Sequence, residues 1–142
     1  EDVHNYLGYN FKITDLQAML GLEQLNDIKL RISKKKAIFS RYKKNLLGNS
    51  KIKFFEVSKN ETPWSVDIYL KDVRKLKKIL EKNKILTRYV YPPLNSQKIY
   101  KKFTNLPISN YFCKRGLWLP SSLDLKNYEI DKICKLINKN IF

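Results

Sequence analysis

Around Pro92-Pro93 the chain gathers Arg88, Tyr89, Tyr91, Asn95 and Gln97 within ten residues. Together they offer a planar cationic fork, two phenols and two amides, a set able to grip hydroxyls and phosphates such as those of a sugar or its diphosphate. A second set stands just before Thr14, where Asn10 brings an amide and Lys12 a cation. If a helix opens at Thr14, its unpaired N–H groups and positive dipole end suit a phosphate beside them. Each set also has a plainer use. Asn10 fits an ordinary turn, Tyr89 or Tyr91 could pack on a sheet, and Arg88 could be a solvated strand residue.

Other chemistries lack their residues. His4 is the single histidine and lies near a terminus, so no Ser/His/Asp set can be built and no catalytic residue is assigned. No glycine-rich phosphate loop or zinc spacing occurs, and Cys113 and Cys134 stand 21 positions apart without a nearby histidine. No metal site is expected. Both cysteines fall in apolar helical patterns where the thiol packs as a small hydrophobe. Trp64 and Trp118 sit in alternating apolar runs and read as core.

The elements that must position these groups can be read from periodicity. Thr14 and Gln17 fit a capping box, and the helix they open can run to about Leu47, where Gly48-Asn49-Ser50 stops it. Its first part, with Leu16, Ala18, Met19, Leu20 and Leu22, is apolar nearly all round and needs a partner. The later part, with Leu25, Ile28, Ile32, Phe39, Tyr42 and Leu46, carries one apolar stripe. Residues 52–57, 64–70 and 85–91 read as strands, the last ended by the two prolines. Val73, Leu76, Ile79 and Leu80 line an amphipathic helix between the second and third strands. Short turns or helices are expected at 96–102 and 109–115, and residues 116–120 as a strand or loop at the sheet edge. A last helix over 126–139 puts Ile130, Ile133, Cys134, Ile137 and Ile141 on one face. The fold class is α+β: a long N-terminal helix leading into a small antiparallel or mixed sheet with helices on one face. Two regions follow, 1–47 as a linking turn and long helix, and 48–142 as a small α+β domain.

The net charge is +16, but 24 of 29 basic residues are lysine, spread over every element beside 13 asparagines and 14 isoleucines. A/T-rich codon usage gives that composition, and lysine is the poorer residue for bidentate recognition. Solvated helix faces are therefore the expectation, with nucleic acid the weaker alternative partner. No apolar run nears the roughly 20 residues that span a bilayer, and no signal peptide is visible at the start. With only two cysteines, a count compatible with reduced thiols, the expectation is a cytoplasmic protein without a membrane partner.

Three blocks in order resemble the C-terminal region of the DegT/StrS family of sugar aminotransferases: residues 4–25, containing Gly8-Tyr9-Asn10; residues 86–100, Leu-Thr-Arg-Tyr-Val-Tyr-Pro-Pro-Leu-Asn-Ser-Gln-Lys-Ile-Tyr; and residues 116–125, Gly-Leu-Trp-Leu-Pro-Ser-Ser-Leu-Asp-Leu. The resemblance implies the small C-terminal domain of a fold-type-I enzyme that uses pyridoxal 5′-phosphate (PLP) to place an amine on a nucleotide-linked keto-sugar. It implies that Asn10, with Lys12 where many members carry arginine, reaches the PLP phosphate of a neighbouring subunit in a homodimer. It places Arg88, Tyr89, Tyr91, Asn95 and Gln97 toward the nucleotide-sugar, with Asn95 where many relatives have histidine, and sets His4 near the site without a task. The lysine that carries PLP belongs in such enzymes to a larger N-terminal domain, so this chain, which does not begin with methionine, is expected to be a fragment that is inactive alone. The intact enzyme would also take an amino donor. The alternatives left open are a basic module that binds an anionic polymer and a non-catalytic assembly domain.

Overall fold

The computed structural model describes Tyr6, Gly8, Tyr9, residues 12–100 and residues 105–141. His4 and Asn10 lie outside the described residues. Thr14 opens the first helix as its sequence dictates: the Thr14 hydroxyl accepts from the Gln17 N–H at 3.4 Å, and the Gln17 side-chain oxygen accepts from the Thr14 N–H at 2.9 Å. The rod expected to continue to Leu47 is instead two helices, α1 (Asp15–Asn26) and α2 (Ile28–Leu46). Asp27, at φ −95° and ψ 3°, leaves the helical conformation between them. Asn26 and Asp27 have short polar side chains that compete for backbone hydrogen bonds, which makes this pair a weak point in a helix.

The four strands are β1 (Lys53–Phe54), β2 (Val66–Tyr69), β3 (Arg88–Tyr89) and β4 (Gly116–Leu119), all antiparallel, in the order β1-β2-β4-β3. Each of the first three is shorter than its apolar run. The run expected at the sheet edge is β4, and it lies inside, between β2 and β3. Its residues explain the placement. Leu117 and Leu119 are buried on the core face, and Gly116 admits a close neighbour: a Cβ there would lie 2.5 Å from Val90 Cγ2.

Val66 pairs with Leu119 and Ile68 with Leu117, so these four share one face and are almost fully buried. That face is covered by α2, α3 (Val73–Lys82) and α5 (Asn127–Asn140), with α5 packed against both other helices. Val73, Leu76 and Leu80 of α3 are buried as their spacing requires. The helix closes with Lys84 at φ 60°, where the Lys84 N–H reaches the Glu81 carbonyl and the Ile85 N–H the Leu80 carbonyl, both at 2.9 Å. This left-handed turn aims the chain into β3. In α5, Ile130, Ile133, Cys134 and Ile137 are buried, and Ile141 follows them inward. Burial pushes the Cys134 thiol up to about 11, as for a packing cysteine rather than a reactive one. The expected α+β arrangement, a small antiparallel sheet with helices largely on one face, is the arrangement observed.

Two parts of the long N-terminal segment differ in burial. Ile38, Tyr42 and Leu46 of α2 belong to the core, whereas α1 buries nothing. Leu16, Met19, Leu20 and Leu22 are 61–69% exposed. The lysines on the outer sides of α2, α3 and α5, such as Lys43, Lys75, Lys78, Lys132 and Lys135, are solvent-exposed. Among the described residues no helix is long and apolar enough to cross a membrane.

Candidate functional site

The sheet face turned away from the helices carries the polar and aromatic residues. Asp67, Trp118 and Arg88 form one row across β2, β4 and β3. The Arg88 guanidinium lies 4.8 Å from the Tyr91 ring centre and 5.5 Å from that of Trp118, and the two rings meet edge to face at 5.0 Å. Such a cation on aromatic rings is held in place while keeping its charge. Burial pushes the Asp67 carboxyl up from its ordinary value, an effect the Ser65 hydroxyl bond partly offsets. The other half of the face is closed by Phe55, Tyr69 and Phe112, whose ring centres lie 5.0–5.3 Å apart. Phe112 is delivered by α4 (Pro107–Cys113), which starts on a proline whose missing N–H is harmless in a first turn.

Beside Arg88 and Trp118 runs an open groove of about 440 Å³, whose other walls include Lys35, Trp64, Thr87 and Ser121. Lys35 Nζ donates to the Trp64 carbonyl at 3.0 Å and to the Ser121 carbonyl at 2.8 Å, tying the segment before β2 to the loop after β4. Burial lowers the Lys35 pKa. Among the described residues the lining includes no carboxylate, imidazole or thiol. The groove can therefore grip and orient an anionic ligand.

Of the residues expected to face a ligand, Arg88 and Tyr91 come together. Tyr89, one position along the strand, pairs with Leu117 and so takes the helix side of the sheet, where the Lys77 ammonium lies 5.4 Å from its ring centre. Asn95 sits in a single 3₁₀ turn (Leu94–Ser96), its Oδ1 buried without a hydrogen-bond partner among the described residues. Gln97 is buried, at 4% exposure. Lys12 is exposed at φ 75°, two residues before the Thr14 cap. Asn10, to which the phosphate role was assigned, is outside the described residues.

Trp64 corrects its expectation. It is 85% exposed rather than core, because the β2 ladder begins only at Val66 and leaves the indole beyond it. Trp118, also expected in the core, is half-buried on the sheet face turned away from the helices. Nothing in the sequence separates Lys35 from Lys34 and Lys36. Only the fold brings it to the groove.

This architecture is that of the small domain of fold-type-I PLP-dependent aminotransferases. It superposes with a TM-score of 0.82 on a DegT DnrJ EryC1 StrS aminotransferase from Brucella abortus, at 26% identity, over 92% of this chain and 36% of that one. The chain belongs to the DegT/DnrJ/EryC1/StrS aminotransferase family, whose sequence profile matches residues 1–138. It is 34% identical to the GDP-perosamine synthase of Escherichia coli O157:H7, over 96% of this chain and 38% of the relative. It is 33% identical to the dTDP-4-amino-4,6-dideoxy-D-glucose transaminase of Escherichia coli, over 92% of this chain and 38% of the relative. The chain thus spans well under half the length of the curated relatives it matches.

Proposed function

We propose that this chain is the small C-terminal domain region of a PLP-dependent aminotransferase that places an amine on a nucleotide-linked keto-sugar. The observation that carries the reading is the family match over residues 1–138 together with 34% identity to a GDP-perosamine synthase. The cationic, aromatic groove supports a phosphate-bearing substrate. In this reading residues 48–142 form the small domain, and residues 1–47 link it to a large domain and to the second subunit of a homodimer. The exposed apolar girdle of α1 supports a covering partner there, since contiguous apolar surface in water is costly. Arg88 and Tyr91 orient the sugar-nucleotide, and Asn95 supplies a hydrogen bond where many relatives place histidine.

The residues present fit the phosphate end of PLP. Lys12 precedes the N-terminus of the 12-residue α1, where Thr14 takes the Gln17 N–H and the other first-turn N–H groups have no intrahelical acceptor. In this reading Asn10, which lies outside the described residues, adds an amide. When bound, PLP supplies the electron sink, while a lysine of the large domain and an amino donor complete the transfer. This chain's own part is to hold the phosphate, orient the substrate and close the cleft against water.

In the full-length enzyme, PLP and an amino-acid donor should convert a GDP- or dTDP-linked keto-sugar to the amino sugar, and the 142-residue chain alone should give no turnover. Turnover by the short chain, or none by the PLP-loaded full-length enzyme, would refute the reading. Asn10→Ala should weaken PLP retention by about 1.5–3 kcal/mol, the loss typical of a hydrogen bond to a charged group. In mixed dimers, with Asn10→Ala on one subunit and the PLP lysine removed from the other, the site should fail in one arrangement only. Full function in both would exclude a cross-subunit role.

A further inference from the structure

Trp64 keeps 85% of its surface in solvent although so large an apolar ring is ordinarily well covered. Its backbone is nonetheless fixed, since its carbonyl accepts from Lys35 at 3.0 Å and the same ammonium holds the Ser121 carbonyl at 2.8 Å. The indole thus projects from a tethered stretch of backbone, with the Lys35 cation 6.0 Å from its centre. In the same groove the Thr87 hydroxyl oxygen is buried without a hydrogen-bond partner among the described residues. Lys35 and Arg88 both line the groove and, among the described residues, no carboxylate does, so the charge of this lining is positive. A flat exposed π-surface with two cations beside it describes a ligand that is planar at one end and anionic next to that end. A neutral sugar would gain little from the two cations.

We propose that the Trp64 end of the groove holds the nucleotide part of the substrate, the base stacked on Trp64 and the diphosphate lying toward Lys35 and Arg88. This rests on the nucleotide-sugar reading above and adds which residue grips the base. Stacking on an indole tolerates any base, so purine and pyrimidine nucleotides should both bind.

The test is calorimetric titration of the PLP-loaded full-length enzyme with GDP, dTDP and inorganic pyrophosphate. Trp64→Ala should weaken GDP and dTDP about tenfold, Trp64→Phe should restore most of the loss, and pyrophosphate should bind all three forms alike. Unchanged GDP and dTDP affinity in Trp64→Ala, with transamination of nucleotide-sugars intact in the wild type, would overturn this subsite and leave the aminotransferase reading standing. Equal weakening of pyrophosphate would also overturn it, by showing that Trp64 acts through the Lys35 tie rather than by stacking. A wild-type enzyme that neither binds these nucleotides nor transaminates their sugars would overturn both.

Discussion

α1 and α5 are close in length, 12 and 14 residues, yet α5 buries four side chains and α1 none. Both are rich in aliphatic residues, so quantity of apolar surface does not separate them. Arrangement does. Ile130, Ile133, Cys134, Ile137 and Ile141 recur at three- and four-residue steps and form one stripe that a single sheet can cover. Leu16, Met19, Leu20, Leu22 and Leu25, at about 100° per residue, spread over more than half of the axis, so one flat surface cannot cover them all. A helix of the first kind completes a domain. One of the second kind needs contacts on several sides, and only a second structural unit can supply them.

The contrast can be broken by substitution. Ile137→Ala should destabilise the chain by about 2–5 kcal/mol in denaturant unfolding, because the side chain is fully buried and leaves a cavity between α5 and its neighbours. A milder effect should appear at the tie between α2 and α5, where Asp131 accepts from Arg41 Nε at 2.8 Å and Nη2 at 2.6 Å and from Asn45 Nδ2 at 2.7 Å. The Arg41 bond holds the Asp131 carboxyl below its ordinary value. A lowered folded-state pKa means that the tie stabilises at pH above the unfolded value and fades as pH falls below about 4 through the folded value. Melting temperature against pH should therefore drop on acidification, and Asp131→Asn should flatten that part of the curve. Leu20→Ala should have the smallest effect, within about 0.5 kcal/mol for the same chain. A Leu20 loss as large as that at Ile137 would mean that α1 is part of this core after all.

The parts of the fold legible in the sequence are those where one periodic pattern meets one surface. α3 and α5 follow from their stripes, and the Thr14–Gln17 cap from the two residue types that build it. Strand order was not legible, since Gly116 and Pro120 at the ends of β4 look like edge markers while the close approach of Val90 that needs Gly116 is a tertiary fact. Alternation placed Trp64 in the core because it cannot tell where a ladder starts. In the site, the pleat sends Tyr89 to the face opposite Arg88, but the same alternation would put Tyr91 with Tyr89; Tyr91 meets Arg88 because the ladder ends at Tyr89 and the chain leaves the strand, which the sequence pattern does not tell. Lys35 could not be read at all, because its role depends on two carbonyls 29 and 86 residues away.

The central claim, that α1 is an interface left bare in this chain, is most directly tested by hydrogen exchange of its backbone amides. They should exchange rapidly in the 142-residue chain while those of α5 are protected. In the full-length enzyme both helices should be protected. Strong protection of α1 in a strictly monomeric 142-residue chain would contradict the account.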